Sequence, residues 1–354
     1  MRNRIMRKQL FALFMLVFCA VSCQKGTVQG TGIPFRASAK SPVGIPTKTS
    51  YGSIDGAGQT FQMLNWEEGD RIRLYSPQAV KIYTVNEHFA DYEVNTTETE
   101  GTVSIARMLA VEDQSSAGSN GLGWTEGTHY FYGLYPSPQS NAHAAMAAGE
   151  GNSVSITGSI PAAQTLSWAA SGSDIVGSPD MSYAYMYASA SAQPADGGVD
   201  LSFSPMFTAF QFEVGPGEND SVRLTRFRLS TSDATKPLSG TFTVSGVQGS
   251  ETISCTGAVS SPTELTVNMD ITLTTGKTLA LTVFALPHAL TQLTVSFTGD
   301  EIGTRTLDLK QDSSWMSFAG CKKYRIYGLS FPKVGSISTA GEGILWGTSE
   351  DYSN

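Results

Sequence analysis

Apolar residues in this chain recur at every second position over short runs, and almost nowhere at the spacing of a helix. Asp70-Arg71-Ile72-Arg73-Leu74-Tyr75 alternates polar and apolar side chains cleanly. Successive side chains of a strand point to opposite faces, so such a run buries one face and wets the other. Further strands are expected at 33–39, 60–66, 80–85, 92–94, 102–106, 130–135 and 154–160. After residue 198 they are more regular, at 199–203, 208–214, 221–229, 240–244, 264–269, 278–286, 290–298, 305–309 and 323–331. Gly, Pro, Asp and Asn separate them, which is turn chemistry. One Ala-rich run, 142–148, predicts two helical turns stopped by Gly149, and the Ser/Gly/Asn-rich segment 113–127 predicts a loop. Strands at short spacing with no helices between them predict an all-β protein built as sandwiches rather than βαβ units.

A chain of 354 residues exceeds the roughly 250–300 that one core usually serves, so two domains are expected. The best break is Gln193-Pro194-Ala195-Asp196-Gly197-Gly198. It gives an N-terminal sandwich over 33–198 and a C-terminal one over 199–332, followed by a tail, 333–354.

Ahead of them, Arg2, Arg4, Arg7 and Lys8 precede an apolar run, Leu10 to Cys19, too short to span a bilayer. Ala20-Val21-Ser22-Cys23 then resembles a bacterial lipobox, in which the cysteine is acylated and becomes the mature N-terminus. On this reading 1–22 is a signal peptide, Cys23 carries lipid, and the Gly/Thr/Gln-rich 23–32 is a tether. Two or more acyl chains, such as palmitate, at about 0.8 kcal/mol per buried methylene, hold a protein at a membrane without a spanning segment. The alternative is a plain secretory signal cleaved near Cys19 or Cys23. Loss of the leader takes four basic groups with it, moving the formal charge from −8 to −12. So acidic a chain is a poor partner for nucleic acid and is not drawn to anionic lipid heads.

Sites for chemistry are sparse. No serine sits in a nucleophile elbow, and no glycine-rich loop matches a dinucleotide or phosphate cradle. His88, His129, His143 and His288 are isolated, and no metal-ligand spacing occurs. The pairs Glu67/Glu68 and Asp300/Glu301 read as solvated loop charges, the alternative being a glycosidase acid pair brought together by the fold. No catalytic residue, metal or cofactor is therefore expected. Cys255 and Cys321 are either two buried thiols in strands, the simpler reading, or a disulfide in an oxidising compartment. Tyr183, Tyr185 and Tyr187 recur at every second position. They make a sugar-stacking face or, more simply, a buried strand face. Trp124 is likewise a ligand-stacking candidate or a loop anchor packed on the core.

The order of several local patterns resembles the fimbrillin family, lipoprotein precursors of donor-strand-assembled pili in Gram-negative anaerobes. The patterns are the lipobox at Cys23, Ile33-Pro34-Phe35-Arg36-Ala37-Ser38, Thr47-Lys48-Thr49, and Trp66-Glu67-Glu68-Gly69-Asp70-Arg71-Ile72. They continue with Phe131-Tyr132-Gly133-Leu134-Tyr135-Pro136, Phe203-Ser204-Pro205-Met206-Phe207-Thr208-Ala209-Phe210 and Phe318-Ala319-Gly320-Cys321-Lys322-Lys323-Tyr324. The resemblance implies two tandem transthyretin-like or Ig-like β-sandwiches and a role as a non-enzymatic pilus subunit or surface adhesin. It also implies anchoring at the outer membrane or display on a pilus, with other pilus subunits as partners, and a surface glycan or protein as adhesion target. A protease would cut after a basic residue beyond the first strand, which maps to Lys48, with Arg36 second. Loss of that strand opens a groove for a strand from the next subunit. The donor candidate is the tail after Pro332, whose bulky residues are Ile337, Ile344, Leu345 and Trp346. Asp220-Ser221-Val222 resembles the three-residue O-glycosylation pattern of such bacteria. The alternative function is a monomeric outer-membrane glycan-binding lipoprotein that uses Trp124 or the tyrosine face.

Overall fold

A computed structural model describes residues 32–40, 66–81, 87–100, 103–111, 121–311, 313–333, 335–339 and 345–348. Among them are two short 3-10 turns and no α-helix. With only strands of four or more residues numbered, the chain lays β1 (Phe35–Lys40), β2 (Arg71–Tyr75), β3 (Phe89–Glu100), β4 (Val103–Ala110) and β5 (His129–Tyr135) in one sheet. It leaves for a second sheet with the hairpin β6 (Ala144–Ala148) and β7 (Ser153–Ile160). A third sheet takes the hairpin β8 (Leu166–Ser171) and β9 (Asp174–Pro179). Then β10 (Met186–Ala192) and β11 (Val199–Ser202) return to the first, β12 (Thr208–Gly215) joins the third, and β13 (Ser221–Thr231) enters a fourth. The hairpin β14 (Gly240–Val247) and β15 (Thr252–Gly257) goes back to the second. Next, β16 (Glu264–Thr274) joins the fourth, β17 (Thr278–Ala285) the third, and β18 (Leu293–Gly299) and β19 (Gly303–Asp308) the fourth. Finally β20 (Lys323–Ser330) and β21 (Leu345–Thr348) lie in the third.

In space the first sheet runs β11-β1-β4-β3-β2-β5-β10, with Ser204–Pro205 beyond β10, and the second runs β15-β14-β7-β6. The third runs β8-β9-β17-β12-β20 and the fourth β16-β13-β18-β19. The first and second sheets pack face to face. Tyr185, just ahead of β10, meets Phe242 of β14 at 5.2 Å, and Gly158 of β7 makes room, since a Cβ there would come within 2.6 Å of the Phe242 ring. The Tyr132 hydroxyl of β5 donates to the Asn152 carbonyl and accepts from the Gln248 N–H at 2.9 Å. The third and fourth sheets meet through Phe212, Phe227 and Phe297, each fully buried and 5.2 Å from the next ring. The outcome is the expected all-β pair of sandwiches.

Three expectations need correction. The interval 193–198 does not divide the sheets: it is a turn, Pro194–Asp196, closed by Gly197 at φ 74°, that joins β10 to β11 within one sheet. The second sheet combines segments from either side of it, with β14 paired to β7 from Gly240↔Ile160 to Val247↔Ser153. Alternating Val154, Ile156 and Ile160 on β7 and Phe242 and Val244 on β14 give both hairpins one apolar face, so the boundary at 198/199 gives way to sandwiches that exchange hairpins. The Ala-rich run is strand β6, not a helix. A two-turn helix pays the full nucleation cost with little propagation, whereas β7 supplies a ready ladder. Within the predicted loop 113–127, Leu122–Gly123 pairs with Val80–Lys81, and Leu122 is fully buried. Most of the strand expected at 60–66 and part of 80–85 lie outside the described residues.

Candidate functional site

β1 is inserted between two neighbours rather than laid on an edge. It pairs antiparallel with β4, from Phe35↔Met108 to Lys40↔Val103, and parallel with β11, from Phe35↔Val199 to Ser38↔Ser202. Just outside these ladders, Val199 N–H donates to Pro34 O at 3.0 Å, Phe203 N–H to Ser38 O at 2.8 Å and Ile33 N–H to Leu122 O at 2.9 Å. Its period-two pattern buries Ile33, Phe35, Ala37 and Ala39 and leaves Arg36 exposed. Phe35 meets Tyr92 at 5.0 Å and Phe131 at 5.4 Å, both edge-on. Burying a Phe or Ile side chain stabilises by about 1.5–3 kcal/mol, so Ile33 and Phe35 together contribute a sizeable fraction of the roughly 5–15 kcal/mol margin of a whole domain. Among the described residues β11 has no strand partner in its sheet other than β1. That dependence escaped sequence reasoning, although the alternation of Val199, Leu201 and Phe203 announced the strand.

Of the two processing candidates, Arg36 sits within the β1 ladder, its guanidinium 3.8 Å from the Asp200 carboxylate. A protease would reach its peptide bond only after β1 left the sheet. Lys48, like Cys23 and Ile344, lies outside the described residues.

The described part of the tail is not a free extension. Arg305 of β19 donates to Gly335 O at 2.7 Å and to Lys333 O at 3.2 Å, and Ile337 N–H donates to Thr306 O at 3.3 Å. Ile337 is thereby buried. Ser338–Thr339 then pairs with Leu329 and Ser330 on the outer side of β20. β21, which contains Leu345 and Trp346, pairs antiparallel with the same strand from Tyr324↔Thr348 to Tyr327↔Leu345. The open side of β20 explains why a Gly/Ser-rich tail settles there: its backbone groups need partners, whatever the side chains.

The stacking candidates are largely internal. Trp124 is buried, edge-on to His129 at 5.0 Å and to Phe131 at 5.6 Å. Beneath it, His129 Nδ1–H donates to Gly127 O at 3.0 Å and Nε2 accepts Thr125 N–H at 3.1 Å, while burial holds the imidazole pKa down. Tyr185 is fully buried between the sheets, and desolvation pushes its phenol up to about 12. Tyr187 is buried and donates to Glu251 at 2.6 Å. Tyr183 belongs to a 3-10 turn, half-buried, its ring 5.0 Å from that of His143. The three tyrosines thus do not form one open strand face.

Cys255 and Cys321 are unpaired and half-buried, and burial pushes their thiols up to about 11 and about 12, with Cys255 adding to the shift at Cys321. Cys255 lies in β15 and Cys321 in a turn. Ser221 is exposed at the start of β13. Among the described residues no three His, Cys, Asp or Glu side chains gather to hold a metal ion.

A family model described as fimbrillin-like matches residues 59–341. Among solved structures, a proposed cell adhesion protein from Bacteroides ovatus superposes with a TM-score of 0.54 at 13% identity, covering 91% of this chain and 100% of that one. A proposed cell adhesion protein from Bacteroides uniformis gives 0.49 at 14% identity, over 91% and 98%. The tip fimbrial protein Mfa3 from Porphyromonas gingivalis, truncated at its C-terminus, gives 0.36 at 7% identity, over 90% and 99%. Among curated proteins none matches the chain in sequence.

Proposed function

The chain belongs to the fimbrillin-like family, and from that membership we propose that it is a non-enzymatic pilus subunit or surface adhesin, exported as a lipoprotein through Cys23 and assembled by strand exchange. The observation that carries the exchange is the seating of β1 between β4 and β11, with its alternate side chains in the core. A cut at Lys48 would release leader, lipid and β1 together. It would leave two unpaired strand edges and an apolar hollow lined by Tyr92 and Phe131. A replacement strand has to present large apolar side chains where Ile33 and Phe35 lie, and small ones where Ala37 and Ala39 lie.

The tail of the next subunit is the donor in this reading, with Ile337, Ile344, Leu345 and Trp346 as its bulky residues. Its release from β20 is then a required step, and Arg305 resists it. The glycan-binding alternative loses its platform, because Trp124, Tyr185 and Tyr187 are inside the fold. The test is to treat purified precursor with a trypsin-like protease and follow mass and assembly state. Loss of the segment through Lys48 together with a ladder of multimers is expected. A trimmed chain that stays folded and monomeric overturns strand exchange.

A further inference from the structure

β6 is the outermost strand of the second sheet. β7 pairs with one side of it, and among the described residues no strand pairs with the other. Open edges invite another strand, and natural proteins blunt them with charge, proline or a bulge. The edges of the fourth sheet follow that rule, with Glu264 and Asp270 on β16 and Arg305 and Asp308 on β19. β6 does not: it reads Ala144-Ala145-Met146-Ala147-Ala148. Across the outer face beside it, Ala145 is followed by Thr157, Thr243 and Ser254, and Ala147 by Ser155, Ser245 and Thr252. Neither row carries a charge, on a chain with formal charge −8.

The sequence of β6 also reads the same in both directions. We propose that β6 is a self-association edge, where two copies of this chain pair antiparallel about a two-fold axis at Met146 and join two four-stranded sheets into one. An interface on a two-fold axis must be complementary to itself. Here reversal sets Met146 against Met146, Ala144 against Ala148 and Ala145 against Ala147. The Met146 side chains fall on the inner face, beside Ile156. The same register sets His143 against Gly149 and Ala142 against Glu150 of the second copy at both ends, so no like charges meet along it. Elsewhere two such acidic chains repel, so a charge-free strip is where they approach most readily.

The other uncharged edges do not mirror themselves. Reversal of β8 sets Trp168 against Ala169, and reversal of β15 sets Ile253 against Thr256. Five residues on each side bury far less than the roughly 800 Å² per partner of a stable interface. The contact is therefore weak alone and gains weight where copies are held side by side, as in the polymer proposed above. Only that gain rests on the polymer reading; the contact does not.

The experiment uses the uncut full chain with its native cysteines changed to serine, bearing either Met146→Cys or Ala145→Cys, under mild oxidation. Directly opposed residues of an antiparallel pair lie about 4.5–5.5 Å apart between Cα atoms, within disulfide reach. Residues 145 of the two copies would be offset, at about 7–8 Å, and out of reach. Dimer yield at least tenfold higher for Met146→Cys is expected, and adding Ala147→Lys should abolish it. Equal yields at the two positions, no dimer at either, or indifference to Ala147→Lys overturns the proposal. Circular dichroism of each variant confirms that the fold is retained. Because no protease is used, failure here leaves strand exchange untouched.

Discussion

β1 and the tail both bear on the proposed strand exchange, yet they are held in opposite ways. β1 has a strand on each side and its alternate side chains in the core. The described tail has β20 on one side, with Arg305 on two of its carbonyls, Ile337 bonded to Thr306 and buried, and Ser338 bonded to Ser330. Alternation of large and small apolar residues makes a strand costly to remove. A ladder on an open edge holds a strand that leaves on its own. Under the proposed strand exchange, the chain would need a protease at one end and only thermal opening at the other.

The comparison can be broken most forcefully at Phe35. Phe35→Ala should cost about 3–5 kcal/mol in denaturant unfolding. Ile337→Ala should cost about 2 kcal/mol, because its surroundings can collapse, with hydrogen-exchange protection lost in the tail alone. Equal losses at the two sites would erase the distinction. Arg305→Ala removes two hydrogen bonds to tail carbonyls, and at about 1 kcal/mol should speed exchange in Ser338–Thr339 and β21 roughly fivefold without changing β1. The smallest effect is expected at Arg36, whose exposed ion pair with Asp200 is worth about 0.5 kcal/mol or less. If Arg36→Ala destabilised as much as Phe35→Ala, the ladder and not the core would hold β1.

Some strands were legible where one face is buried: Arg71–Tyr75 and Ser153–Ile160 fall close to the expected 70–75 and 154–160, whereas β8, β9, β10 and β15 lie where no strand is expected. Their partners were not legible. Alternation says which face turns inward but not against which hairpin, so the pairing of β14 with β7 across 80 residues left no local mark. β6 was misread for a related reason: alanine favours a helix locally, and the partner strand that overrides it comes afterwards. At the candidate site, Phe35 and its neighbours were readable as a strand, whereas the anchoring of the tail by Arg305 depends on a contact 30 residues distant.

The parallel pairing of β1 with β11 also sets an order of events. Ser38 Oγ lies 3.5 Å from Leu201 O, 163 residues further along. Closing so long a loop is slow compared with zipping a hairpin. The first strand among the described residues is therefore expected to be among the last to dock, with its contacts absent when the folding barrier is crossed. Changes in β1 should then hasten unfolding while leaving the folding rate nearly unchanged. Under the proposed export, the rest of the first sandwich would have to stay soluble while the place between β4 and β11 is still empty, a stage at which an unpaired strand edge is open to aggregation.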